Sequence, residues 1–270
     1  MPVSSGLYYT ENKPLNSRFD GNENPRPIVV LIHGAGGSQL SWPVEIRRLP
    51  GFRVLAVDLP GHGKSKGIAL QNVEAYARVL KDFLRDLGVF SIVMVGHSLG
   101  AAIAIQFALE NRDQVRGLVL FSAAKCFPIP KEIFQAVADV ETYSIGLAML
   151  KQRSFSHKTS VETKNRCMQV LENQRNTILF SDFVAASKVD FREGIDQFDF
   201  PCWTACGSDD LITPPSLTQE LGKHFKRAEF SEISAAGHLL PLEQPGIVAN
   251  GLHRFLTNAE LFPGHGPQKN

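Results

Sequence analysis

Residues 92–102 read IVMVGHSLGAA, and this stretch decides the fold. Its first four residues are a continuous apolar run, typical of a strand buried on both faces of a parallel sheet. Residues 96–100 have the spacing G-x-S-x-G, and the small apolar residues 101–109 predict a helix. A serine at a sharp turn from strand to helix projects its hydroxyl at the carboxyl edge of the sheet, where the helix dipole favours negative charge. We therefore expect Ser98 to be a nucleophile.

Further apolar runs with the same character end in Gly, Asp, Pro or Ser turns. Between two of them, residues 73–87 place apolar side chains at helical spacing along one stripe. Strands that alternate with helices predict an α/β fold with a doubly wound, mostly parallel sheet. The predicted strands are residues 28–32, 54–57, 92–95, 118–121, 202–206 and 229–233, and a final helix is predicted from about 246 to 256.

The pattern changes between residues 126 and 199, where helix-like segments replace the strand runs. Pro128 and Pro130 stand at the start of this region, and Pro201 stands at its end. We therefore predict an α/β core from residues 1–125 and 200–270, with residues 126–199 inserted as a helical cap or lid over the sheet. Residues 263–270 are predicted to be a polar tail.

Composition narrows the classes of function. The chain has 270 residues, of which 43% are hydrophobic and 20% charged, so it has enough apolar side chains for a sizeable core. A net charge of +1 provides no field that would attract nucleic acid or an anionic membrane. No secretory signal or bilayer-spanning run is apparent. Cys202 and Cys206 lie in a predicted strand and are interpreted as buried structural residues, so we expect a cytoplasmic protein. We also expect either a monomer or a small homo-oligomer.

A serine hydroxyl becomes an effective nucleophile only when a base accepts its proton. His238 is the candidate base because it lies in a loop of small residues after the last predicted strand. A carboxylate is needed to orient that base, and Asp209 and Asp210 both follow the strand at 202–206. Adjacent side chains diverge, so only one of the two aspartates can face His238. The chain order Ser, Asp, His agrees with this arrangement.

The oxyanion of a tetrahedral intermediate requires two backbone N–H donors. Leu99, directly after the nucleophile, is positioned to supply one of them. The other is expected from residues 33–38, a Gly-rich turn after the first central strand.

Residues 61–65, which read GHGKS, end like a phosphate-binding loop. The phosphate-binding pattern requires glycine at position 58, where Asp58 stands, so we interpret this segment as a simple turn.

Taken together, these motifs resemble those of the α/β-hydrolase superfamily, and in particular its cap-bearing serine esterase-like members, from about Leu7 to Leu256. The resemblance implies that Asp210 is the acid, because the family pattern G-x-x-D-x-x-x-P fits residues 207–214. It also implies that Ala35 and Leu99 donate to the oxyanion. The segments that carry it are residues 33–37, 58–65, 96–100, 207–214 and 237–238.

The resulting hypothesis is a carboxylesterase that cleaves esters of small to medium, mostly apolar substrates through an acyl-enzyme on Ser98. No cofactor or metal is needed for this chemistry. Two alternatives remain: a carbon–carbon bond hydrolase, thioesterase, lactonase or perhydrolase with the same triad, or a small-molecule receptor with little turnover. Cap aromatics, among them Phe127, Phe134, Phe155, Phe180 and Phe183, are candidates for lining the pocket or for the core of the cap. Predicted substrate contacts are Gly34, Gly36, Trp42, His97 and Phe127.

Overall fold

The computed structural model describes residues 3–13 and 26–258 of the chain, so the predicted tail at 263–270 lies outside the described residues. Within these ranges, eight strands form one sheet in the order β1-β2-β4-β3-β5-β6-β7-β8. The strands are β1 (Val3–Ser4), β2 (Leu7–Asn12), β3 (Ile28–Ile32), β4 (Val54–Val57), β5 (Ile92–His97), β6 (Val115–Phe121), β7 (Cys202–Gly207) and β8 (Ala228–Ile233).

Strands β3 to β8 are parallel, as the continuous apolar runs predict. The predicted doubly wound, mostly parallel α/β sheet is therefore confirmed. Strands β1 and β2 were not predicted. They form an antiparallel extension of the sheet, in which Tyr9 of β2 pairs with Val57 of β4.

Helices cover both faces of the sheet. The core of one face includes the apolar sides of α2 and α3, and the core of the other includes those of α1 and α10. Burying apolar surface on both faces explains why the central strands have no polar alternation. The helices are α1 (Val44–Arg47), α2 (Val73–Asp86), α3 (Leu99–Glu110), α4 (Lys131–Ala138), α5 (Tyr143–Ser154), α6 (Val161–Glu172), α7 (Asn176–Ser187), α8 (Pro215–Gly222), α9 (Leu240–Glu243) and α10 (Pro245–Thr257).

Helices α4 to α7 lie between β6 and β7, inside the predicted insertion at 126–199. Their apolar side chains form a third cluster, which includes Ile133, Leu150 and Phe183. Leu239 and Ile212, from loops of the sheet, pack against this cluster. The four helices therefore rest on the carboxyl edge of the sheet, where Ser98 and the loop of His238 also lie.

Cys202 and Cys206 are buried free thiols in β7, as interpreted from the sequence, whereas Cys126 is exposed. In the described part of the chain, no helix combines the length and apolar character needed to cross a membrane.

The turn at residues 61–65 closes around Asp58. The carboxylate of Asp58 accepts hydrogen bonds from the amides of Gln39 (2.6 Å) and Lys64 (2.8 Å), and its carbonyl accepts one from the Ser65 hydroxyl. The Lys64 amide, which a bound phosphate would require, is therefore already occupied.

Candidate active site

The turn between β5 and α3 holds Ser98 in a backbone conformation that few residues adopt. Its φ and ψ are 53° and −118°, and non-glycine residues are strained in this region by about 1–3 kcal/mol. The turn is tight enough that a Cβ on Gly100 would lie 2.2 Å from the carbonyl oxygen of Ile32. Packing around the turn therefore holds the half-buried Ser98 hydroxyl at the carboxyl edge of the sheet.

Ser98, His238 and Asp210 form a continuous hydrogen-bonded chain. The Ser98 hydroxyl lies 3.0 Å from His238 Nε2, and His238 Nδ1 lies 3.0 and 3.1 Å from the two Asp210 carboxylate oxygens. Because the carboxylate only accepts, the Nδ1–H donates to it, and Nε2 is left to accept from the serine. These three residues are far apart in the sequence, and the structure brings them into hydrogen-bond contact, as predicted.

Asp210 is buried, and its own partners explain its ionisation. Burial alone would raise the pKa of Asp210, but attraction to His238, the hydrogen bond from that ring and the amide of Thr213 together hold it below the ordinary value. Oδ1 accepts from the amides of Ile212 (2.9 Å) and Thr213 (2.8 Å). The carboxylate is therefore fixed in place by the turn that follows β7.

Asp209 points away from this chain. Its carboxylate accepts from the hydroxyls of Ser156 and Ser208, and it lies 3.2 Å from Nδ1 of the exposed His157. The two adjacent aspartates diverge as expected, and Asp210 is the one that faces His238.

The backbone of His238 is also held on both sides. Its N–H donates to the carbonyl of Ser154 (2.8 Å), and its carbonyl accepts from His97 Nε2 (2.8 Å) and from the Ser122 hydroxyl (3.0 Å). Burial and the nearby His238 lower the pKa of His97 to about 3, so its ring is neutral near pH 7 and donates through Nε2–H. His97 thus orients His238 and also lines the pocket.

Ala35 and Leu99, the predicted oxyanion donors, both line the same pocket as Ser98. Ala35 lies in the loop after β3, and Leu99 is the first residue of α3. Within the described ranges, neither backbone N–H donates to another protein group. Both amides are therefore available to a substrate oxygen.

Three predicted substrate contacts lie elsewhere. Gly34 packs against the His97 ring, and Gly36 donates its N–H to Asp182, so these glycines support the pocket and are not part of its lining. Trp42 is 1% exposed and packs against Phe121 in the core that α1 and α10 cover. The prediction for Trp42 is wrong because its side chain is buried on the face of the sheet that α1 and α10 cover and is not part of the pocket lining.

The pocket above Ser98 has a volume of about 800 Å³, including the space at its open mouth. Its polar lining comes from Ser98, His238, His97 and Ser154, and none of the described residues that line it is Lys, Arg, Asp or Glu. The cap contributes most of the apolar lining, including Phe127, Ile133, Leu150, Met168, Leu179 and Phe183.

Two of the cap aromatics considered as candidates, Phe127 and Phe183, line this pocket. The other three do not. Phe155 is buried in the cluster of the cap helices, and Phe134 packs edge-to-face on Phe180.

Sequence reasoning missed the residues that hold the loops of His238 and Ala35. Ser122 and Ser154 bind the backbone of His238 but carry no motif. Asp182 binds the loop of Ala35, and it does leave a signal, because it is the one charged residue in the otherwise neutral helix Asn176–Ser187. Among residues 3–13 and 26–258, no three His, Cys, Asp or Glu side chains cluster as metal ligands would.

A strained serine between a strand and a helix, with a downstream histidine and aspartate in line, is an arrangement found in α/β-hydrolases. A family model described as "alpha/beta hydrolase fold" matches residues 27–245. The chain therefore belongs to the α/β-hydrolase family, as the resemblance implied.

Relatives with different names share this fold. A protein of Serratia proteamaculans (strain 568), named provisionally as the carbamate hydrolase RutD, is 26% identical over 82% of this chain and 87% of its own. A 2-hydroxy-6-oxononadienedioate/2-hydroxy-6-oxononatrienedioate hydrolase of Paraburkholderia phymatum is 27% identical over 79% and 81%. A solved structure of a thermophilic esterase from Thermogutta terrifontis superposes with a TM-score of 0.81 at 24% identity, over 93% and 92%. These names agree on hydrolysis and differ in substrate.

Proposed function

We propose that the protein is a serine esterase that hydrolyses neutral, mostly apolar carboxylic esters through an acyl-enzyme on Ser98. One observation carries the proposal: the hydrogen-bonded chain from Asp210 through His238 to Ser98 ends in a pocket whose described lining residues carry no charged side chain.

The geometry supports a two-step reaction. His238 Nε2 takes the Ser98 proton as Oγ attacks the ester carbonyl carbon, and the N–H groups of Ala35 and Leu99 bind the resulting oxyanion. The bond to the alcohol oxygen then breaks, and His238 returns the proton to that oxygen. In the second step, water gives a proton to His238 and attacks the acyl carbon, after which Ser98 leaves with the proton and the acid is released.

Asp210 contributes through orientation and charge. Its bond to Nδ1–H selects the His238 tautomer that has a free lone pair on Nε2. Its negative charge also stabilises the imidazolium that forms when His238 accepts the proton. Because the pKa of Asp210 lies below its usual range, the carboxylate stays ionised throughout the neutral pH range.

The pocket lining argues for uncharged substrates. Burying a carboxylate without a cationic or hydrogen-bonding partner costs several kcal/mol. A dioate, the substrate class in the name of the Paraburkholderia relative, carries two carboxylates. Among the described residues that line the pocket, no Lys or Arg is present to receive either. An alkyl or aryl acyl chain, by contrast, gains about 0.8 kcal/mol for each methylene buried against the cap.

A panel of p-nitrophenyl esters from acetate to laurate tests the proposal, alongside a thioester, a lactone, a carbamate, a diketone and a perhydrolysis assay. We expect ester turnover to exceed that of the other classes and to rise with acyl length until the pocket is filled. Ser98→Ala should lower kcat by at least about 1000-fold and abolish fluorophosphonate labelling.

Ser187→Ala is the matched control, because this exposed hydroxyl bonds only the carbonyl of Val184 and lies on the cap surface. Labelling that persists in Ser98→Ala would refute the assignment of the nucleophile. An acyl burst without steady-state turnover would instead support the receptor alternative, and faster turnover of another substrate class would replace esters in the proposal.

A further inference from the structure

A carboxylate is buried where the cap meets the sheet. Asp182 of α7 is fully buried, and its Oδ1 accepts from the Tyr76 hydroxyl (2.6 Å). Its Oδ2 accepts from the backbone N–H of Gly36 (2.8 Å) and from His62 Nε2 (2.8 Å). These three donors belong to the α/β part of the protein that carries the sheet, whereas Asp182 itself belongs to the cap.

The partner His62 carries a positive charge. Its Nε2 faces the Asp182 carboxylate and its Nδ1 lies 3.0 Å from the carbonyl of Pro60, and both of these oxygens can only accept. Both ring nitrogens therefore hold protons. Burial alone would lower the pKa of His62, but the charge of Asp182 and these hydrogen bonds raise it. A fully satisfied ion pair thus lies out of contact with water.

The cap binds both peptide groups of Gly36. Asp182 accepts from its N–H, and the side chain of Gln174 donates to its carbonyl at 3.3 Å. The residue has a φ of 64°, and a Cβ there would lie 2.5 Å from a methyl group of Leu171. The loop therefore packs closely between the sheet and the cap at Gly36, the residue that follows Ala35.

We propose that Asp182 is a positioning residue that holds the peptide between Ala35 and Gly36. It thereby restrains the backbone torsions of Ala35 and, through them, the preceding peptide, whose Ala35 N–H points toward the oxyanion. The inference rests on the proposed function in one respect: Ala35 is taken as an oxyanion donor. It follows that the oxyanion hole is complete only when α7 is seated on the core, so the cap is part of the catalytic centre as well as the lining of the pocket.

The variant Asp182→Leu tests the role, because leucine keeps the branch at Cγ but carries two methyl groups and no acceptor. The Gly36 N–H then loses its partner, and we expect kcat for an ester to fall at least about tenfold while KM stays within about threefold. Amide hydrogen exchange in peptides covering residues 33–38 should accelerate in parallel. Should Asp182→Leu fail to fold, Asp182→Ala has the same expected results.

Two further variants separate positioning from general stability. Asp182→Asn can keep its oxygen toward Gly36 and its amide toward the Tyr76 oxygen, so it should restore most of the kcat that Asp182→Leu loses. Tyr76→Phe removes a bond to the same carboxylate and leaves the Gly36 bond in place. It should lower the melting temperature with kcat within about twofold of wild type.

The inference is overturned if exchange at residues 33–38 is unchanged in Asp182→Leu, or if kcat is unchanged while only the melting temperature falls. It is equally overturned if Tyr76→Phe lowers kcat as much as Asp182→Leu does. A wild-type protein without ester turnover would refute the proposed function instead, and the exchange rates would still decide whether Asp182 holds the loop.

Discussion

The substitution Asp210→Asn is a sharp test of the site because the structure fixes which way the new amide must face. Oδ1 of Asp210 accepts two backbone N–H groups, from Ile212 and Thr213, so the asparagine oxygen has to remain there. The NH₂ group must then take the place of Oδ2, 3.0 Å from His238 Nδ1. Two N–H groups cannot face each other at that distance. The asparagine oxygen at Oδ1 lies 3.1 Å from Nδ1 but already accepts two backbone N–H groups, so we expect the ring to give up its proton at Nδ1.

The consequence falls on the nucleophile. With the proton moved to Nε2, His238 presents a donor to Ser98 and cannot accept the serine proton. A wrong tautomer of this kind lowers kcat by about 10⁴-fold in serine hydrolases with the same triad, which corresponds to about 5 kcal/mol in the activation barrier. Asp209→Asn is the matched control, because Asp209 bonds Ser156 and Ser208 and does not contact His238. It should leave kcat within about threefold of wild type.

Steady-state hydrolysis of the best p-nitrophenyl ester measures both variants, with melting temperatures recorded to show that each is folded. The role of Asp210 is refuted if Asp209→Asn is the more damaging substitution, or if Asp210→Asn loses less than about tenfold in kcat while remaining folded.

Two further predictions concern burial. Burial and the nearby charge of His62 lower the pKa of His33 to about 3, against 6.5 when unfolded, so its contribution to stability is present above pH 6.5 and is lost as the pH falls toward 3. Between pH 7.5 and 5, the unfolding free energy of the wild type should therefore fall by about 2 kcal/mol more than that of His33→Gln, as measured by urea denaturation. An equal fall in the two proteins would contradict this. Trp42→Phe should lower the melting temperature and leave the preference for acyl length unchanged, because Trp42 lies in the core that α1 and α10 cover. A shift in the preferred ester would instead show that Trp42 contacts the substrate.

The parts of the site that could be predicted are those determined by local chain geometry. Ser98 and His238 each occupy a loop directly after a strand, and parallel strands bring their carboxyl ends to one edge of the sheet. The choice between Asp209 and Asp210 could not be made from local geometry, and it required the resemblance. Trp42 shows the opposite case: it is close in sequence to the loop at residues 33–38, but its side chain lies in the core that α1 and α10 cover.

The contacts that could not be predicted join residues far apart in the chain. Gly36 and Asp182 are separated by 146 positions, and no periodicity in sequence registers such a pair. The one available signal is energetic. If the carboxylate within the apolar helix α7 is buried, it must have partners, since burying it alone would cost several kcal/mol. That argument predicts the existence of partners, and only the fold identifies Gly36, His62 and Tyr76 as those partners.

The cap binds the loops of Ala35 and His238 at two points. This arrangement suggests how relatives with one fold can act on different compounds. Asp182 holds the loop of Ala35, while the carbonyl of Ser154 holds the backbone of His238. Glu243 strengthens the second point, because it accepts from the amides of both Ser156 and Gly237. Side chains of the cap that face the pocket can therefore change and alter the substrate, provided that these two points of attachment persist. A substitution at either point is expected to act on kcat, and one in the apolar lining is expected to act on the choice of ester.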